Sequence, residues 1–210
     1  MKTVIFCSGS INDYKYCEDI LRTADYIICA DGGTRHTYRM SVMPDIIIGD
    51  MDSSEKTYID YYILRGVEFR KHPADKDKTD TELCLEYAME FSDEIVLLGA
   101  TGSRLDHTLA NISLLRLGLE KNIRMSVVDS NNQVFLIDKS IELTGQPGEL
   151  FSLLPISEKV EGLYTYGAHY ELADATIELG SSYGVSNYFK SNKVRISIES
   201  GLLLVIKSID

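Results

Sequence analysis

Before Asp129 the chain alternates short apolar runs with longer stretches of mixed polarity. Val4-Ile5-Phe6-Cys7, Tyr26 to Ala30, Ile46-Ile47-Ile48, Ile95-Val96-Leu97-Leu98 and Ile123 to Val128 are apolar runs, and Val67 to Lys71 returns as a further strand. Such runs predict strands covered on both faces, as in a parallel sheet. Helical spacing links Tyr16, Ile20 and Leu21 within 12–22, Thr34 to Ser41, and Tyr58, Ile59, Tyr62 and Ile63 within 54–65, where the tyrosines read as core packing. Thr79-Asp80-Thr81-Glu82 has the form of a capping box and opens a helix running to about Phe91. Leu105, Leu109, Ile112, Leu115 and Leu119 mark one long amphipathic helix. Strands alternating with helices indicate βαβ units.

Beyond Asp129 the helical period disappears. Val134–Ile137, Leu150–Leu154, Val160–Tyr166, Ala168–Leu172, Ala175–Leu179, Val194–Ile198 and Leu202–Ile206 are short β-type runs separated by Gly, Asn, Ser and Pro. The expected fold is therefore a parallel-sheet α/β domain over 1–129, followed by a small antiparallel β sandwich or barrel over 130–210.

Length and composition narrow the function. The 210 residues, 44% hydrophobic, suffice for a sizeable core. A net charge of -11, from 32 acidic and 21 basic residues, argues against sequence-independent nucleic-acid binding. It requires a polyanionic ligand to arrive with a metal or to meet a local cluster of donors, and it favours a cationic small molecule. Cys7, Cys17, Cys29 and Cys84 show no paired spacing and read as free thiols. The amino terminus lacks a signal-peptide core, and no segment approaches the ~20 apolar residues needed to span a membrane, so a cytoplasmic protein is expected.

The candidate chemistry lies where the predicted strands end. Asp31-Gly32-Gly33, Asp50-Met51-Asp52-Ser53, Asp75-Lys76-Asp77-Lys78-Thr79-Asp80 and 99–107 all fall at one edge of the parallel sheet, where ligands bind in such folds. An aspartate there can simply cap a turn. So many carboxylates together repel strongly without a cation, and oxygen ligands suit Mg²⁺. No G-x-x-x-x-G-K-[ST] is present. The loop 99–103 admits two readings, an ordinary tight turn or a phosphate cradle at a helix amino terminus with Arg104 adding a charged contact. Asp106, His107 and Asn111 are polar in the opening turns of an otherwise apolar helix. No role is assigned to His36, His72 or His169.

Ala30-Asp31-Gly32-Gly33, Gly49 to Ser53, Lys76 to Asp80, Gly99 to Asn111 and the late Ser186-Asn187-Tyr188-Phe189 together resemble the bacterial-type thiamine pyrophosphokinase family, in order and over nearly the whole chain. The resemblance implies transfer of the β,γ-pyrophosphoryl group of ATP to the thiamine hydroxyl, giving thiamine diphosphate and AMP. It implies Mg²⁺ on Asp50, Asp52 and Asp80, with Asp31 nearby. Asp106, Arg104 and Asp31 are the catalytic candidates, with Asp106 the candidate for holding the acceptor and taking its proton. Nucleotide contacts are implied for Gly32, Ser53, Lys76, Thr101, Gly102 and Arg104, and thiamine contacts for Asp106, Ser186, Asn187 and Phe189. It implies an ATP- and Mg-binding first domain, a thiamine-binding second domain, and a homodimer with each active site at the subunit interface. The apolar run Leu202 to Ile206 also suggests a dimer. Ser103 departs from a usual glycine, and the absence of Trp leaves Tyr188, Phe189 or Tyr183 to stack on thiamine. Two competitors are a nucleotide-dependent transferase acting on another heterocycle, such as a pterin, and a non-catalytic nucleotide or thiamine sensor.

Overall fold

The computed structural model describes residues 1–72 and 77–208. The chain divides into two compact units, Met1–Ser130 and Asn131–Asp210. The first is built from β1 (Lys2–Phe6), α1 (Lys15–Leu21), β2 (Tyr26–Ala30), α2 (Thr34–Arg39), β3 (Ile46–Gly49), α3 (Lys56–Ile63), β4 (Glu68–Lys71), α4 (Asp80–Ala88), β5 (Glu94–Leu98), α5 (Leu105–Ser113), α6 (Leu115–Lys121) and β6 (Arg124–Val128). All six strands are parallel, in the order β6-β5-β1-β2-β3-β4. Val4, Ile5, Phe6, Ile46, Ile47 and Ile48 are fully buried, as two-sided coverage requires. From β1 the chain builds outward to β4, then returns to the other side of β1 for β5 and β6. The strand order therefore reverses between β1 and β5, and the crevice beyond their carboxyl ends is where such a sheet accepts a ligand.

The second unit contains β7 (Asn132–Ile137), β8 (Ser140–Thr144), β9 (Leu150–Pro155), β10 (Lys159–Tyr166), β11 (Ala175–Glu178), β12 (Asn187–Tyr188), β13 (Lys193–Ser197) and β14 (Leu203–Ser208). One antiparallel sheet runs β12-β9-β14-β7 and the other β11-β10-β13-β8. Phe151, Leu153 and Val205 from the first sheet share a core with Val160, Leu163 and Val194 from the second, which makes this a sandwich.

Four local expectations change. The helix expected through Leu119 is two helices, tightened at Leu114, whose carbonyl accepts the Leu117 N–H at 3.0 Å, a three-residue spacing. Its expected apolar face is also not a core face at the start, because Leu105 and Leu109 are 67% and 55% exposed. The run Ala168–Leu172 forms only a single bridge, Ala168 to Phe189. β8 and β12 were not anticipated: β8 has only Ile141 and Leu143 as apolar signal, and β12 is two residues long.

Thr79 caps α4 as expected, its hydroxyl accepting the Glu82 N–H at 3.2 Å. Tyr62 is fully buried, its hydroxyl donating to Thr37 Oγ1 at 2.7 Å. All four cysteines are free and buried.

Candidate active site

The acidic group forms where β2 and β3 end side by side. A Cβ on Gly49 would stand 2.7 Å from Cβ of Asp31 and 3.2 Å from Cγ of Asp80, so only glycine there lets these side chains close in. Met51 takes a left-handed φ of 70° between Asp50 and Asp52. Carboxylate oxygens of Asp31, Asp50 and Asp52 then lie within 4.8 Å of one another. Asp80 stands beside this trio, so the tightest group contains Asp31 where the sequence pointed to Asp80. Asp31 is fully buried and accepts the Ser53 N–H at 3.0 Å and the Ser54 hydroxyl at 2.6 Å. Burial pushes its carboxyl above the usual range, those two donors pull it back, and the charges of Asp80 and Asp50 raise it further. A divalent cation relieves both the desolvation and the repulsion. Oxygens around an octahedral Mg²⁺ stand about 3–4 Å apart, so these residues fit one with small side-chain rotations.

The reversal point between β1 and β5 holds a cavity of about 560 Å³. Gly9 N–H donates to Gly99 O at 2.6 Å and Ser10 N–H to Thr101 O at 2.7 Å, zipping the loops after β1 and β5 together. Gly9 is required by space, since a Cβ there would meet Thr101 O at 2.2 Å. Behind this zip, His36 is buried between the Tyr14 hydroxyl, 2.8 Å from Nδ1, and Gly9 O, 3.0 Å from Nε2. Burial pulls His36 down to about 4, which keeps it neutral, with Nε2 held between the Gly9 carbonyl and the Arg35 Nε–H, the latter at 3.3 Å. The loop after β5 is fixed by Asn111, which donates to Ala100 O at 2.8 Å, and by Thr101, which donates to Asp129 at 3.1 Å.

The structure brings five of the six expected nucleotide contacts, together with Asp80, to this cavity. Gly32, Ser53, Asp80, Thr101, Gly102 and Arg104 line it, and His107 does as well. Lys76 lies outside the described residues. Asp106 is held by Arg104 through contacts of 2.6 and 3.2 Å, both side chains exposed. The guanidinium pulls Asp106 down to about 2, which makes it a weaker proton acceptor while that pair holds. The sequence reading missed Ser8, Gly9 and Arg35, which also line the cavity. The position of Ser8-Gly9-Ser10, directly after the strand at which the order reverses, is the signal that could have found it.

In the second unit the late motif divides. Ser186 is exposed, with φ 61°, and donates its N–H to Ser152 Oγ at 3.1 Å. Asn187 is buried and pins a turn: Oδ1 accepts from Tyr170 N–H and Tyr188 N–H at 3.1 and 2.9 Å, and Nδ2 donates to Tyr170 O at 2.7 Å. Phe189, expected to face a ligand, is buried in the sandwich core, edge-on to Phe151 at 5.7 Å. Its ring is claimed by the fold because residues alternate between faces along this segment. The accessible aromatic surface belongs to Tyr188, stacked on His169 at 4.2 Å, with Tyr170 edge-on to both. Tyr183 is also exposed.

The model of the thiamin pyrophosphokinase catalytic domain matches residues 17–127, and that of the thiamin pyrophosphokinase vitamin B1 binding domain matches residues 138–203. The chain is 30% identical over 187 residues to a thiamine pyrophosphokinase of Bacillus subtilis, covering 87% of each chain. Among solved structures, the thiamine pyrophosphokinase from Bacillus subtilis superposes with a TM-score of 0.89 at 27% identity, covering all of both chains. That from Geobacillus thermodenitrificans gives 0.85 at 27% identity, covering 100% of this chain and 98% of the other. Fold and site define a two-unit transferase of the kinase type. The chain belongs to the thiamine pyrophosphokinase family.

Proposed function

We propose that the protein transfers the β,γ-pyrophosphoryl group of ATP to the hydroxyethyl oxygen of thiamine, in a Mg²⁺-dependent reaction that releases AMP. The observation that carries this reading is the trio Asp31, Asp50 and Asp52 set beside a cation-rimmed cavity at the sheet's reversal point. Asp31, Asp50 and Asp52, with Asp80 adjacent, would hold the ion, which supplies charge neutralisation to the phosphate oxygens. The zipped loops and the amino terminus of α5 offer backbone N–H groups to the phosphate chain, and Gly32 and Ser53 lie at the same cavity. In the reaction the acceptor oxygen forms a bond to the β-phosphorus, the bond from that phosphorus to the α-bridging oxygen breaks, and the acceptor loses its hydroxyl proton.

Asp106 acquires a role through Arg104. The guanidinium edge that now engages Asp106 is the edge a phosphate would take. Once it turns to the nucleotide, Asp106 returns toward the ordinary carboxylate range and is released to hold the acceptor hydroxyl.

The second unit, matched by the vitamin B1 binding model, would supply thiamine contacts through Ser186 and the Tyr188, His169 and Tyr170 surface, with Asn187 shaping the turn. A cationic heterocycle on such rings gains about 0.5–2 kcal/mol. Homodimerisation rests now on exposed Leu105 and Leu109, because Leu203 and Val205 are core residues of their own unit. Among the described residues no helix is long and apolar enough to cross a membrane, and we place the enzyme in the cytoplasm. Incubation with ATP, Mg²⁺ and thiamine, followed by nucleotide separation, tests the reading: AMP and thiamine diphosphate in equal amounts support it, whereas ADP or no turnover overturns it.

A further inference from the structure

Among the described residues, three cationic side chains other than histidine line the cavity, and two are already paired with carboxylates. Arg104 holds Asp106 and Lys78 holds Glu86. Arg35 is different. It is half-buried, and among the described residues no carboxylate pairs with it. Its Nη2 group donates to Ser8 O at 2.6 Å and to Gly9 O, while Nη1 makes no hydrogen bond among the described residues. A guanidinium carries five N–H donors and cannot discharge itself by losing a proton. A half-buried cation without a counter-charge is costly, and here it faces a cavity in a chain of net charge -11.

We infer that Arg35 is a phosphate-binding residue, presenting its Nη1 edge to the polyphosphate chain of a nucleoside triphosphate while Nη2 braces the loop after β1. Two carbonyls fix the guanidinium plane, so the free edge is set before the ligand arrives, and little side-chain freedom is lost on binding. The anion completes the charge pair that the described residues leave open. The inference rests on the nucleotide reading of this cavity, yet it concerns the anion alone and can be tested without turnover.

The decisive comparison is calorimetric titration of tripolyphosphate with Mg²⁺, Mg-ATP, adenosine and thiamine into the wild-type protein, Arg35→Gln and Arg35→Lys. Glutamine can still donate to the Ser8 and Gly9 carbonyls but carries no charge. Arg35→Gln should weaken tripolyphosphate and Mg-ATP by about 10–100-fold, the size of a lost charged hydrogen-bond pair. Adenosine and thiamine should change by less than about twofold, well under 1 kcal/mol, and Arg35→Lys should recover part of the loss. Equal tripolyphosphate affinity in Arg35→Gln and wild type overturns the inference, as does a parallel loss of thiamine binding, which would make Arg35 merely a brace. If Arg35→Gln does not fold, wild-type protein decides by phenylglyoxal labelling and peptide mass spectrometry. Protection of Arg35 by saturating tripolyphosphate supports the inference, and unchanged labelling overturns it. A protein that binds tripolyphosphate through Arg35 yet makes no thiamine diphosphate from ATP and thiamine keeps this inference and refutes the proposed reaction.

Discussion

Gly9→Ala probes the nucleotide cradle most sharply, because its effect follows from distances. The added Cβ would lie 2.2 Å from Thr101 O and 2.3 Å from Gly99 O, both backbone atoms. Ordinary contact begins near 3.4 Å, so one loop must retreat by 3.4 − 2.2 = 1.2 Å. That movement breaks the Gly9 to Gly99 and Ser10 to Thr101 hydrogen bonds, now 2.6 and 2.7 Å long. At about 0.5–1.5 kcal/mol each, the expected loss is about 1–3 kcal/mol. For a chain of this size that lowers Tm by about 2–12 °C. The same retreat pulls Thr101 and its neighbours from the cavity, so KM for ATP should rise about tenfold or more, a loss of over 1.4 kcal/mol in nucleotide binding, while KM for thiamine stays within about twofold. Calorimetric melting and steady-state kinetics measure the two effects. A variant with wild-type Tm and wild-type KM for ATP would refute the claim that the zipped loops form the cradle.

Other outcomes follow from the same geometry. Asp50→Asn and Asp52→Asn should each abolish transfer with the fold retained; near-normal turnover at saturating Mg²⁺ in either would remove the metal assignment. Phe189→Ala should cost about 3–5 kcal/mol as a core truncation, so loss of thiamine binding at unchanged stability would return that ring to the binding surface. His36, held down to about 4 by burial, binds fewer protons folded than unfolded between about 4 and its ordinary 6.5. Its contribution is therefore present above pH 6.5 and is lost as pH falls toward 4, with an upper bound of about 3 kcal/mol, or about 1–2 after screening. His36→Gln should flatten the fall in Tm between pH 7 and 4.5, and an equally steep fall would contradict the buried neutral assignment. Leu105→Glu with Leu109→Glu should yield monomers by light scattering; an unchanged dimer, or a fully active wild-type monomer at assay concentration, would sink the dimer proposal.

What the sequence disclosed, and what it concealed, has a physical division. The buried strands were legible because two-sided coverage leaves an uninterrupted apolar run, as at Ile46 to Ile48. The strand-end loops were legible because Asp and Gly follow those runs directly. Arg35 and His36 were not, since a residue's distance from a cavity depends on which strands become neighbours. Leu105 and Leu109 carried a helical period that normally marks a core face, yet the period cannot say what covers it. Phe189 misled for the opposite reason: an aromatic beside Ser186 and Asn187 looks like a ligand platform until the alternation of β12 turns it inward. Asn187 is polar because a tight turn needs its amide, not because a ligand does.

In the proposed reaction an intact pyrophosphoryl group moves. ATP labelled at the β-phosphorus tests it directly, with Mg²⁺, thiamine and the protein as prepared, and products separated before counting. All transferred label should appear in thiamine diphosphate, with unlabelled AMP. Label retained in ADP, with thiamine monophosphate as the product, would contradict it.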